Sequence, residues 1–165
     1  PEFKIAGAKR FERTDCILPS LEVAGPGGHW VEVSRAICPV EPSDETKRML
    51  EAYDEYFDAA RSALRSGSSA RDAHRAVAKG FHDRGFHLGH VTGHSIGMTM
   101  IEFPKIGEND ETGLQAGMVL SMHPHAISQD GKACLYMQDT WLVTDDGGVP
   151  LADLPMKIYD GTETR

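Results

Sequence analysis

The patterning of apolar residues changes near His87, and this change restricts the folds open to the chain. Before it, Ser43 is a predicted helix N-cap, and apolar residues follow at helical spacing to about residue 65. A second helix is predicted from the capping-box-like segment Ser69–Asp72 to Gly85. After His87, short apolar runs alternate with clusters of Gly, Pro and Asp. These runs predict strands over residues 95–103, 117–127, 133–143 and 149–154.

Two more strands are predicted ahead of the helices. They cover residues 16–24 and 29–38 and are separated by Gly25–Gly28, which is rich in turn formers. A second hairpin turn is predicted at Asp145–Gly148. A strand pair, two helices and a run of later strands are together typical of an α+β domain.

Length and charge limit the organisation and the partners. With 165 residues, the chain is long enough for one domain with a core of its own. We interpret Pro1–Phe3 as a cloning remnant and residues 4–165 as a single domain, or part of one. The net charge of -8 argues against nucleic acid or an anionic membrane as the main partner. No apolar run is long enough to span a membrane.

The three cysteines indicate a reducing environment. Cys16, Cys38 and Cys134 are odd in number, far apart in sequence and without the spacing of metal ligands. Each falls in an apolar, strand-like run, so we expect reduced, buried thiols. We therefore expect a cytoplasmic protein.

The histidines are the first candidates for chemistry. The chain has eight, and six of them cluster at positions 82, 87, 90, 94, 123 and 125. Clusters beside glycines are candidates for metal ligands or proton carriers. His94 lies between Gly93 and Ser95-Ile96-Gly97, which suggests backbone that approaches another group closely. His123 ends an apolar run. Glu102 follows apolar residues, where a carboxylate is costly unless it is paired or functional.

Four segments carry a family resemblance. They are TDCILPSLEVAGPGGHWVEVSRA, GHSIGMTMIEFP, LQAGMVLSMHP and YMQDTWLVTDDGG. In this order they resemble the pita-bread superfamily of creatinases and aminopeptidases, peptidase family M24. The resemblance runs from about Arg13 to Leu154. It implies an α+β pita-bread fold, a curved antiparallel or mixed sheet with helices packed on one side, of which this chain would be the later part.

The resemblance also implies that the acidic metal site of the family's peptidases has been altered. The family's two Asp, one His and two Glu ligands fall, in order, near Ser20, Glu32, His94, His123 and Gln138. A further histidine of these peptidases corresponds to Ile101. Two divalent cations close together need several negative ligands, and these five positions offer one formal negative charge. We therefore expect no dinuclear site. Glu32, His94 and His123 form an alternative set for a single Fe, Zn or Mn ion.

Three functions are compatible with this pattern. The first is a creatinase-like hydrolase of a C–N bond in a small amidino, amide or peptide-like substrate, for which no cofactor is expected. The second is a metal-dependent peptidase, hydrolase or lyase with a single ion. The third is a non-catalytic binding module. We expect a small molecule or short peptide as substrate and a homodimer of the full-length protein.

The creatinase-like interpretation gives each candidate a role. Its catalytic residues would be His94, His123 and Glu102. Its substrate-binding residues would be Glu32, His90 and Gln138.

Overall fold

Two helices and ten strands form the part of the chain that a computed structural model describes, residues 7–160. Pro1–Phe3, the predicted cloning remnant, lie outside the described residues. The helices are α1 (Asp44–Ala63) and α2 (Ala70–Asp83). The strands are β1 (Ser20–Ala24), β2 (Trp30–Ser34), β3 (His87–Leu88), β4 (Gly93–Ser95), β5 (Glu102–Ile106), β6 (Val119–Met122), β7 (His125–Ile127), β8 (Cys134–Tyr136), β9 (Asp139–Val143) and β10 (Gly148–Pro150).

Both predicted helices are confirmed, and side-chain caps mark their beginnings. The Ser43 hydroxyl accepts a hydrogen bond from the Thr46 amide, and the Ser69 hydroxyl accepts one from the Asp72 amide. Gly85 follows α2 with a positive φ of 79°, which a residue with a side chain rarely adopts. Neither helix is long and apolar enough to cross a membrane.

The strands form three antiparallel sheets around the site. One has five strands in the order β10-β9-β6-β4-β5, one has three in the order β3-β7-β8, and β1 and β2 pair as a hairpin. The helices pack against each other and contact β10, β8, β5 and β3. Between them lies a core that includes Tyr53, Phe81, Leu120 and Trp141, all fully buried. This is the α+β arrangement predicted from the sequence.

Two of the predicted strands are each broken into two, and the breaks matter for the site. The run 117–127 divides into β6 and β7, which belong to different sheets, at His123 and Pro124. Proline has no N–H to donate to a strand ladder. The run 133–143 divides into β8 and β9 at Met137 and Gln138. His123 and Gln138 therefore lie where the chain crosses from one sheet to another.

The prediction of one strand over residues 95–103 is wrong. β4 ends at Ser95 and β5 begins at Glu102, so residues 96–101 form a connection between them. In this connection the Glu102 carboxylate accepts hydrogen bonds from the amide and hydroxyl of Thr99. A side chain that bonds the local backbone in this way competes with strand pairing.

The prediction of three reduced thiols is also wrong. Cys16 and Cys38 form a disulfide, with their Cα atoms 4.4 Å apart. The register of the β1–β2 hairpin explains the pairing, because it continues to a bridge between Ile17 and Ile37 and so brings the neighbouring cysteines together. Cys134 is free and half-buried, and burial raises the pKa of its thiol. An unreactive thiol was expected at this position.

Candidate functional site

Glu32, His94 and His123 converge in the structure. One potential ligand atom from each residue lies within 4.8 Å of the others, and all three side chains are buried. Glu32 is supplied by β2, His94 by β4, and His123 by the crossing that follows β6. These three residues are far apart in the sequence, and three different parts of the fold bring them together.

The Glu32 carboxylate is held by hydrogen bonds from uncharged donors. Its Oε2 accepts from the Ser121 hydroxyl and from the Gln138 side-chain amide. The Gln138 Oε1 points the other way and accepts from the Ser20 hydroxyl at 2.9 Å. Ser20, Glu32 and Gln138 thus form one connected network. In it, the amide of Gln138 stabilises the carboxylate and adds no charge.

His94 presents one defined nitrogen to this carboxylate. Its Nδ1–H donates to the Ser95 carbonyl at 3.0 Å, so the neutral ring carries its lone pair on Nε2. Nε2 lies 3.9 Å from Glu32 Oε2. The preceding glycine has a packing role, because a Cβ on Gly93 would overlap the Ser121 carbonyl oxygen on β6. The close approach suggested at Gly93 is therefore an approach between two strands.

Burial disfavours the charged form of each ionisable side chain in the cluster. It raises the pKa of Glu32 and lowers the pKa of His94, because the charged form of each loses solvation. It lowers the pKa of His123 to about 3, assisted by the neighbouring imidazoles of His94 and His90. Both buried rings are therefore neutral near pH 7 and have lone pairs available.

A cleft of about 290 Å³ opens onto the cluster. The residues that line it are Glu22, Glu32, His90, Val91, His94, Met100, Ile101, Lys105, His123, Tyr136 and Gln138. His90, which was predicted to bind substrate, is exposed at this opening, and its ring centroid lies 5.1 Å from that of His123. Five of the six predicted site residues therefore share one cleft.

The sixth, Glu102, lies outside this cleft. Its carboxylate is bonded to Thr99, and these hydrogen bonds lower the pKa of Glu102. It also occupies the space beside Gly97, where an added Cβ would lie 2.8 Å from both carboxylate oxygens. The apolar surroundings that suggested a functional acid belong to the β4–β5 connection, which Glu102 stabilises. The structure does not bring Glu102 to the other candidates.

Among the polar residues of the site that sequence reasoning missed are Glu22, Lys105 and Ser121. Glu22 lies opposite Glu32 in the β1–β2 pairing, and Lys105 and Ser121 lie opposite His94 on the two strands beside β4. Directly opposite residues project to the same face of a sheet. Pairing the two strands about the Gly25–Gly28 turn would have identified Glu22. Lys105 and Ser121 required the order of the later strands.

Comparison with known proteins identifies the family. The sequence profile of metallopeptidase family M24 matches residues 2–145. The chain belongs to this family. This M24 chain is 26% identical to a Xaa-Pro dipeptidase from Pyrococcus furiosus. The aligned region covers 87% of this chain and 41% of that protein. The chain is 30% identical to a Xaa-Pro dipeptidase from Lactobacillus delbrueckii subsp. lactis over 74% of its length and 34% of that protein. The chain thus spans about two fifths of such relatives, or less.

Solved structures of the family share the fold. The dipeptidase PepE from Mycobacterium ulcerans superposes with a TM-score of 0.84 at 24% identity, over 93% of this chain and 42% of that one. The prolidase from Pyrococcus horikoshii OT3 superposes with a TM-score of 0.80 at 25% identity, over 93% of this chain and 43% of that one. The predicted pita-bread fold is confirmed.

The donor groups suit one metal ion and do not suit two. At the five aligned positions, Glu32 is the one carboxylate, and its Oε2 is already bonded to Ser121 and Gln138. Glu22, directly opposite Glu32, adds one exposed carboxylate at the opening, which is still less negative charge than two adjacent divalent cations need to offset their repulsion. Two neutral imidazoles and one carboxylate, however, are a common donor set for a single transition-metal ion.

Proposed function

We propose that this M24 domain hydrolyses a C–N bond in a small amide, amidino or peptide-like substrate without a pair of metal ions. The supporting observation is the hydrogen-bonded cluster of Glu32, His94, His123 and Gln138, in which one carboxylate stands where a dinuclear centre requires several. The relatives named Xaa-Pro dipeptidase support hydrolysis of an amide-type bond.

His94 and Glu32 are suited to move the two protons of such a hydrolysis. His94 Nε2, with its free lone pair, accepts a proton from the attacking water. Glu32, in its protonated form, donates a proton to the departing nitrogen. Burial raises the pKa of Glu32, which favours its protonated form, and lowers the pKa of His94, which keeps its ring neutral and able to accept a proton. His123 is a weaker base and orients water or substrate through its lone pair.

A single-ion enzyme is the second candidate, favoured by the convergence of three ligand atoms. Glu32, His94 and His123 would hold the ion, which would supply Lewis acidity for the scissile carbonyl group or for a bound water. In that case His94 has no free lone pair to accept a proton. The same three residues can therefore act in proton transfer or hold a metal ion, and not both at once.

Three finer predictions belong to this proposal. A small molecule or short peptide fits a cleft of about 290 Å³. A homodimer of the full-length protein and a cytoplasmic location stay predictions from the sequence. The Cys16–Cys38 disulfide removes the reduced cysteines as a reason for the cytoplasmic assignment, because disulfides persist mainly in oxidising compartments.

The proposal is tested by turnover after chelation. Protein treated with EDTA is incubated with dipeptides, N-acyl amino acids and guanidino compounds, and release of the amine is measured. We expect activity to survive chelation. We expect His94→Ala to reduce kcat by at least about 100-fold, because general acid–base catalysis contributes about that factor. His82→Ala is the matched control, since this exposed histidine does not line the cleft.

Two other outcomes would each indicate a different function. Activity lost on chelation and restored by one equivalent of Zn²⁺, Mn²⁺ or Fe²⁺ would replace the proposal with the single-ion enzyme. Folded protein without turnover of any compound, with His94→Ala binding them as the wild type does, would make the domain a binding module.

A further inference from the structure

Two charged residues flank the buried cluster on opposite strand pairs. Lys105 lies directly opposite His94 on β5, and Glu22 lies directly opposite Glu32 on β1. Both line the cleft with their partners. The opening therefore presents an ammonium group beside the imidazole and a carboxylate beside the buried acid.

Lys105 has no acidic partner among residues 7–160. Its side chain is half-buried, and its Nζ lies 5.7 Å from the ring centroid of Phe103. By contrast, Lys79 and Arg75 on the surface of α2 are paired with Asp83 and Glu108. A cation kept partly out of water without a neutralising acid, in a cleft, is suited to bind an anionic ligand.

An apolar surface adjoins this cation. Val91, Met100 and Ile101 line the same cleft, and Val91 and Ile101 remain 37% and 51% exposed. Ile101 stands where the resemblance implies a histidine, so an imidazole has been replaced by a hydrocarbon group. Covering such side chains with an apolar ligand group removes hydrocarbon surface from water and favours binding.

We propose that Lys105 binds the carboxylate of a substrate whose apolar side chain packs on Ile101 and Val91. This assignment rests on the proposed hydrolysis and names its substrate class as amides of apolar amino acids with a free carboxylate. The charges set the orientation, because the Glu22 carboxylate at one side of the cleft repels a carboxylate and Lys105 at the other attracts it. In such a compound three bonds separate the carboxyl carbon from the acyl carbon. A carboxylate on Lys105 therefore directs the amide towards His94 on the neighbouring strand.

Binding of matched probes tests this assignment independently of turnover. Calorimetry compares N-acetyl-leucine with N-acetyl-leucinamide, which lacks the negative charge, on the 165-residue chain. We expect the acid to bind about 10-fold more tightly, and this preference to vanish in Lys105→Met. Lys79→Met, which alters an exposed lysine on α2, should retain it. Circular dichroism confirms that each variant is folded.

A second variant tests the apolar surface. Ile101→Ser should reduce the preference for N-acetyl-leucine over N-acetylglycine by several-fold while leaving the preference for acid over amide. Equal binding of acid and amide, a preference that persists in Lys105→Met, or no binding of either probe would overturn the assignment. Turnover of amides without a carboxylate preference would overturn it and leave the proposed function standing. A preference for the acid without any turnover would support the assignment and overturn the proposed function.

Discussion

At the scale of single residues, the site depends on the hydrogen bonds that stabilise one buried carboxylate, that of Glu32. Glu32 is 3% exposed and accepts hydrogen bonds from Ser121 and Gln138. A buried carboxylate is tolerated when donors replace the water it has lost. Gln138 is suited to this task because its amide supplies the donor without a second negative charge. A glutamate there would instead repel Glu32 unless a cation lay between them.

Loss of one of these donors should destabilise the fold. Ser121→Ala removes a hydroxyl that bonds Glu32 in a fully buried position. We expect the free energy of unfolding in urea to fall by about 1–3 kcal/mol, the cost of leaving a buried polar group with fewer partners. Ser62→Ala, which alters an exposed serine of α1, is the control and should change it by less than about 0.5 kcal/mol. An equal effect of both substitutions would show that the Ser121 bond does not support Glu32.

At the scale of secondary structure, the cluster depends on chain crossings between sheets. His123 lies between β6 and β7, and Gln138 lies between β8 and β9. Arg35 fixes the second crossing. It donates to the carbonyls of Ser34, Gln138, Leu154 and Pro155 and to the Asp139 carboxylate. The role of Arg35 is therefore to hold together the chain segments that meet at this crossing.

Arg35→Lys should therefore be poorly tolerated although it conserves the charge. An ammonium has three donors on one atom, whereas the guanidinium makes five hydrogen bonds in fixed directions. We expect a loss of at least about 2 kcal/mol in the free energy of unfolding, because buried carbonyls lose their donors. The control is Arg75→Lys, at an exposed ion pair with Glu108, where we expect less than about 1 kcal/mol. A similar small loss at both positions would contradict the role given to Arg35.

The elements were predictable from the sequence to different degrees. Both helices were recognised because their caps and apolar spacing are local signals, carried by Ser43, Ser69 and Gly85. The strands were predicted in roughly the correct segments, but the predicted strands are longer than those of the structure. Their breaks at His123 and Gln138 depend on partners from distant parts of the chain. Glu102 differs, because its hydrogen-bond partner Thr99 is close in sequence; its apolar neighbours suggested a strand, whereas the chain turns between β4 and β5 and brings Thr99 to the carboxylate.

At the scale of the whole molecule, the disulfide ties together the two ends of the segment that carries Glu32. Cys16 precedes β1 and Cys38 follows β2, and 22 positions separate them. The sequence did not predict this pairing, because only the hairpin register brings the two cysteines opposite each other. Closing a loop of this length limits the freedom of the unfolded chain and stabilises the folded state by about 3 kcal/mol.

Reduction should therefore lower thermal stability. With dithiothreitol we expect Tm to fall by about 6–12 °C, the shift that corresponds to about 3 kcal/mol in a domain of this size. Cys16→Ser should give the same Tm with or without dithiothreitol. Cys134→Ser, at the free cysteine, should retain the sensitivity to dithiothreitol. A wild-type Tm that does not respond to reduction would contradict a stabilising disulfide.

The central claim is that this M24 domain has lost the charge needed for two metal ions, and metal stoichiometry tests it most directly. Purified protein is saturated with Mn²⁺, Co²⁺ or Zn²⁺, desalted and measured by native mass spectrometry together with elemental analysis. We expect no more than one ion per chain. The double variant His123→Glu and Gln138→Glu, which supplies two of the three missing carboxylates, should bind more metal than the wild type. Two ions per wild-type chain, lost in Glu32→Gln, would contradict the claim.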